Sequence, residues 1–140
     1  MLPVAYSFIQ SLNANNYRFT HNEAQDGRKE HIRISFNGDH GNTISQNFIF
    51  DPDGTSVNIV AFSICKVSSD KMMDMFVLLN EFNSNYRWLK FYIDDDNEVT
   101  VSADAVIEPV TAGDELSEIM HRFNRIIDEV YPRLMKICWG

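Results

Sequence analysis

The stretch FYIDDDNEVTV, residues 91–101, gathers Asp94, Asp95, Asp96 and Glu98 within five positions. Carboxylates at that density could hold a hard cation such as calcium or supply a general acid and base. A calcium loop, however, also needs a glycine at its sharp bend and a bidentate glutamate further on, and this stretch has neither. Register points instead to a hairpin tip. With Asp95, Asp96 and Asn97 as a three-residue loop, Ile93 faces Val99, Phe91 faces Val101 and Leu89 faces Ala103, all on one side. A two-residue loop would set Ile93 against Thr100 and scramble that pattern. Asn97 tolerates the left-handed conformation such a loop requires.

The other reactive groups are scattered. His21, His31, His40 and His121 form no HExxH or HxxxH pair, so neither a metal nor a cofactor is expected. Cys65 and Cys138 show no CxxC spacing, which gives little support to a zinc site or disulfide scaffold and favours a reducing cytoplasm. Cys65 lies in the most apolar segment and is expected to be buried and inert. There is no GxSxG elbow, phosphate loop or GxGxxG. No catalytic residue is assigned, and an enzyme is not expected.

The elements that must carry these groups follow from periodicity. Leu2, Ala5, Phe8, Ile9 and Leu12 recur at helical spacing before an Asn13, Asn15, Asn16 stop. Between Tyr17 and Val67 the period becomes two. Ile32, Ile34 and Phe36 alternate with polar neighbours, NGDHGN and DPDG mark turns, and SVNIVAFSICKV is apolar on both faces, as for a central strand covered on two sides. Arg18 to Thr20 offers one further short strand. Ser68, Ser69 and Asp70 are candidate caps for a helix whose stripe is Met72, Met75, Phe76, Leu79, Phe82 and Tyr86. Strands around 87–94 and 98–107 follow. Thr111 is the expected cap of a last helix that buries Leu116, Ile119, Phe123, Ile126, Ile127 and Val130. Pro132 should kink or break it. The fold class is α+β, a single domain over 1–140, with one antiparallel sheet, helices packed on it, and the order α-β-β-β-α-β-β-α.

The net charge is −8, with −2 in residues 1–70 and −6 in residues 71–140. That balance argues against nucleic-acid and anionic-membrane partners, which need clustered Lys and Arg. The beginning, MLPVAYSFIQSLN, does not read as a signal peptide, and no run is long enough to span a membrane. A cytoplasmic protein is expected.

The apolar groups left over are more suggestive. Met73 and Val77 lie off the main helical stripe, and WLKFY sets Trp88 and Tyr92 opposite Leu89 and Phe91. These four residues form a candidate interface, since large apolar groups need covering by the chain's own helices or by a partner.

Residues 75–137, and in particular Asn80, Phe82, Asn83, Trp88, Lys90, Phe91, Tyr92, the acidic turn, Asp104 and Tyr131-Pro132, resemble the bacterial YbjN family of sensory-transduction regulators. Asn97 stands where that family commonly has glycine. The resemblance implies a type III secretion chaperone-like fold, homodimers, and the binding of an extended client segment, with no catalytic residues to carry over. The function expected is therefore a non-catalytic protein-binding domain, chaperone-like or regulatory. The alternative is a small-molecule sensor or enzyme using a pocket between sheet and helices.

Overall fold

The computed structural model describes all 140 residues. Helix α1 (Pro3–Ala14) is followed by β1 (Thr20–Asn22), β2 (Glu30–Asn37), β3 (Thr43–Phe50) and β4 (Ser56–Lys66). A 3-10 turn over Ser69–Lys71 then leads into α2 (Met72–Asn85), β5 (Lys90–Ile93), β6 (Glu98–Val106) and α3 (Ala112–Trp139). The six strands make one antiparallel sheet in the order β1-β2-β3-β4-β6-β5. The expected order of elements is present, with the short β1 as an additional strand that overlaps Arg18–Thr20 only at Thr20.

Alternation decides which side of the sheet is dry. Ile32, Ile34, Ile44, Phe48, Phe50, Val57, Ile59, Val99, Val101 and Phe91 project to one face and join the buried faces of all three helices in one core. Their alternates, Arg33, Ser35, Ser45, Asn47, Asn58 and Tyr92, line the opposite face, which no helix covers. The expectation that β4 is covered on both sides is therefore corrected. Val60 is buried there, opposite Asn47 and Ser102 on the two neighbouring strands, and Phe62 stands out from the sheet 54% exposed. A polar side-chain ladder maintains this face: His31 with Asn47, Ser35 with Ser45, and Asn58 with Ser102.

Helix ends depart from the expected caps. The Thr111 side chain makes no capping bond. Instead the Gly113 N–H donates to Ser7 Oγ of α1 at 3.0 Å, so one helix caps the other. A Cβ on Gly113 would lie 2.8 Å from the Ser7 carbonyl oxygen, which is why only glycine allows the two helices this close. Ser68, Ser69 and Asp70 likewise make no capping bond to α2, which is entered through the 3-10 turn.

Pro132 does not end α3. The helix runs on to Trp139, because Pro132 faces solvent, where water can take the Asp128 carbonyl, while Leu134 beyond it is buried in the core.

Candidate functional site

The acidic cluster is a turn. Asp94 N–H donates to Glu98 O and Asn97 N–H to Asp94 O, closing a three-residue loop with Asn97 at φ 61°. Ile93 pairs with Val99 and Phe91 with Val101, the register expected for that loop. Asp94 is its brace. One carboxylate oxygen accepts from the Asp96 and Glu98 N–H groups, and the other from Thr100 Oγ1 at 2.8 Å. The Thr100 bond first, then Glu98, lowers the Asp94 pKa below the usual carboxylate range. A depressed folded-state pKa means the stabilisation is present above the ordinary value of about 4 and is lost as pH falls through the lower folded one.

With Asp94 so engaged, calorimetry is expected to detect no micromolar calcium or magnesium binding. A signal that disappears when Asp94, Asp95 and Asp96 are all changed to Asn would show the tip to be a cation site.

The four histidines stay apart. His21 pairs with Glu30, His31 bonds Asn47, His40 stacks on Tyr131 and His121 meets Tyr17. Cys65 is half-buried rather than fully enclosed.

The α2 surface is the feature left without a partner. Each helical residue turns by about 100°, so Met75, Leu78, Leu79 and Phe82 converge on the core, and Phe76 points about 100° away from Met75. Phe76 was expected in the buried stripe. It is 50% exposed, and with Met73 at 72% and Val77 at 69% it forms an apolar strip at i, i+3 and i+4. The helical wheel carries this signal once Leu78 replaces Phe76 in the stripe.

Trp88 and Tyr92 do not join that strip or each other. Trp88 precedes β5 with its backbone in the left-handed region, at φ 80°. Its ring lies under the guanidinium groups of Arg87 and of Arg122 from α3. Tyr92 sits on the uncovered sheet face beside the Lys90 ammonium. The four candidate interface residues thus belong to three surfaces.

Phe62, which sequence reasoning assigned to a covered strand, marks a further one. It borders an open groove of about 780 Å³ whose wall includes His21, Arg28, His31, Asn47 and Ile49.

One side chain closes an edge. Asn83 of α2 accepts from the Phe91 N–H at 2.8 Å and donates to the Phe91 carbonyl at 3.0 Å, satisfying the outward backbone groups of edge strand β5 as a paired strand would. Asn83→Ala is expected to cost about 2 kcal/mol, two net hydrogen bonds, and to accelerate amide exchange at Phe91. Unchanged exchange there would show the clamp to be idle.

The sequence model of the YbjN family, described as "Putative bacterial sensory transduction regulator", matches residues 8–136. No curated protein matches the chain by sequence. Among solved structures, YbjN from E. coli is similar over 90% of this chain and 89% of its own, with a TM-score of 0.60 at 11% identity. The Yersinia pestis type III secretion chaperone SycH, solved in complex with a stable fragment of YscM2, is similar over 89% of this chain and 97% of its own, with a TM-score of 0.57 at 9% identity. These likenesses show a common α+β fold.

Proposed function

From the premise that the chain belongs to the YbjN family, we propose that it is a non-catalytic protein-binding domain, chaperone-like or regulatory, that forms a homodimer and works in the cytoplasm. The observation that carries this reading is the strip of Met73, Phe76 and Val77, three large apolar side chains presented together on α2. Flexible methionine beside an aromatic adapts to more than one partner shape, and solvation of such a strip is unfavourable enough that a protein surface is its natural cover. SycH, of like fold, is a chaperone solved with a protein fragment, which supports the same use of the fold here. No helix is long and apolar enough to cross a membrane.

The alternative, a small-molecule sensor or enzyme with a pocket between sheet and helices, would have to use instead the groove beside Phe62, which no helix residue lines. It is weaker because the two histidines in that wall are already committed to Glu30 and Asn47, and the groove is open to solvent rather than enclosing a ligand.

Light scattering at micromolar concentration is expected to give a mass near twice 16.2 kDa. The Met73→Glu, Val77→Glu double variant should move toward monomer with unchanged circular dichroism. A monomeric wild type would remove the dimer and leave the strip to another protein. Client binding is tested separately, by affinity purification from the native cytoplasm. Proteins held by the wild type and lost by the double variant support the proposal, and identical retention by both counts against it.

A further inference from the structure

The pairing of β3 with β4 covers only part of each strand. It runs from Phe50 opposite Val57 to Asn47 opposite Val60 and stops there, although β3 reaches back to Thr43 and β4 runs on to Lys66. The cause is a bulge in β4. Ala61 pairs with Val101 of β6 and Cys65 with Val99, so Phe62, Ser63 and Ile64 stand against Thr100 alone, and Ser63 takes the left-handed conformation at φ 55°. The sheet therefore has a split in its interior, between the first half of β3 and the second half of β4.

The split leaves backbone groups without a strand partner. The Asp51 N–H donates to the Ser56 carbonyl, so counting back along β3 in twos, Ile49, Asn47, Ser45 and Thr43 turn their N–H and C=O groups toward β4. Ile49 and Asn47 meet Asn58 and Val60 there, whereas Ser45 and Thr43 meet no residue of β4. At the β5 edge Asn83 supplies the missing bonds. Here the Ser45 hydroxyl is engaged with Ser35 of β2.

Side chains line the opening from both sides of the sheet. Phe62 stands on the uncovered face, and Tyr131 reaches the split from α3, its ring stacked on His40. With Ser63 and Ile64 of the bulge and with Thr43 and Ser45, they bound a cavity of about 270 Å³, below the roughly 300–1,000 Å³ of a small-molecule site. The free backbone groups select the occupant. Donors and acceptors repeating at strand spacing are matched by another extended backbone, and apolar groups on the two faces match the alternating side chains of such a segment. The unpaired part of β3, from Thr43 to Gln46, spans about 13 Å at roughly 3.3 Å per residue.

We propose that the split between β3 and β4 is a strand-addition site, in which a short extended segment of a partner polypeptide pairs with Thr43 and Ser45 while its apolar side chains rest on Phe62 and Tyr131. The inference rests on the protein-binding reading and adds to it a second contact, which shares no residue with the α2 strip. Two contacts to one partner reinforce each other, so loss of the strip still releases a full-length partner, whereas an isolated peptide depends on the split alone.

The test follows amide exchange by NMR in the wild-type chain, then adds blocked hexapeptides in which Thr alternates with Ala, Val or Tyr, each compared with its N-methylated counterpart. In the free chain the Ser45 amide should exchange about a hundredfold faster than that of Asn47, which has a strand partner. A plain peptide should slow the Ser45 amide by about tenfold, and the N-methylated form, which cannot donate backbone bonds, should leave it unchanged. Phe62→Asp should weaken peptide binding several-fold, and the Met73→Glu, Val77→Glu double variant should bind peptide as the wild type does. A Ser45 amide as slow as that of Asn47 in the free chain would show the split to be closed and overturn the proposal. So would binding that survives N-methylation, or no binding by any plain peptide at millimolar concentration. Absence of peptide binding beside partner capture that depends on the α2 strip would remove this site alone and leave the protein-binding reading in place.

Discussion

Phe123→Ala is expected to lower the unfolding free energy by about 3–5 kcal/mol, the range for truncating a fully buried aromatic. Phe123 is 0% exposed. It sits near the middle of α3, on the stripe shared by Met120, Ile126, Ile127 and Val130, all buried. Because the helices cover only one face of the sheet, α3 is common to both halves of the core, touching α1, α2 and β4. Gln46 of β3 donates to the Met120 carbonyl at 2.9 Å and to Asn124 at 3.0 Å, so the backbone around Phe123 is tied to the sheet. A tied helix cannot settle into the void, which places the cost toward the upper part of the range. Urea melts measure it, and a loss below about 1 kcal/mol would mean that this face of α3 collapses freely.

Glu30→Ala should cost about 3 kcal/mol, from lost charged hydrogen bonds together with a small cavity. Glu30 is a buried carboxylate on the dry face of β2. One oxygen accepts from the Leu2 N–H at 2.7 Å, where α1 begins, and the other meets His21 Nε2 of β1 at 2.5 Å. A single side chain thus joins a helix start, a central strand and an edge strand. Removing it leaves the Leu2 N–H without its acceptor in a place water reaches poorly. Glu30→Gln keeps an acceptor and the volume, so its penalty should be roughly half as large by the same accounting. Equal losses for the Ala and Gln variants would show that charge rather than hydrogen bonding and packing sets the effect. Losses under about 0.5 kcal/mol for both would show the site to be dispensable.

Residues that interact with near neighbours in the chain were the legible ones. The hairpin at residues 91–101 is a case: the alternation of Phe91, Ile93, Val99 and Val101 admits one loop length, and that register is observed. The same holds for the class and order of the elements and for the α3 stripe, except that Met120 is buried and the expected Ile119 only half-buried. Local pattern misled where another element or solvent supplies what the pattern omits. Thr111 is at the right place to cap α3, yet Ser7 of α1 satisfies the Gly113 N–H. Of the kink or break expected at Pro132, the break does not occur, because the residue falls on the solvent side and the buried Leu134 carries the helix past it.

The candidate interface shows the same division. Met73 and Val77 were readable as off-stripe residues because a helix repeats every few positions and the deviation is visible in its own sequence. Phe76 was misplaced because one extra apolar group can sit beside a stripe without revealing which side the sheet is on. Trp88 and Tyr92 looked like partners on one face, and the left-handed backbone at Trp88 separates them.

The sequence by itself determined the α+β class, the acidic turn and most of the buried face of each helix, since each rests on spacing within about ten residues of chain, where backbone geometry alone dictates which side chains share a face. Only the tertiary structure decided that all three helices cover the same side of the sheet and that Asn83 closes the β5 edge. Those outcomes depend on how distant segments cross, and crossing is set by the packing of the whole core rather than by any local repeat.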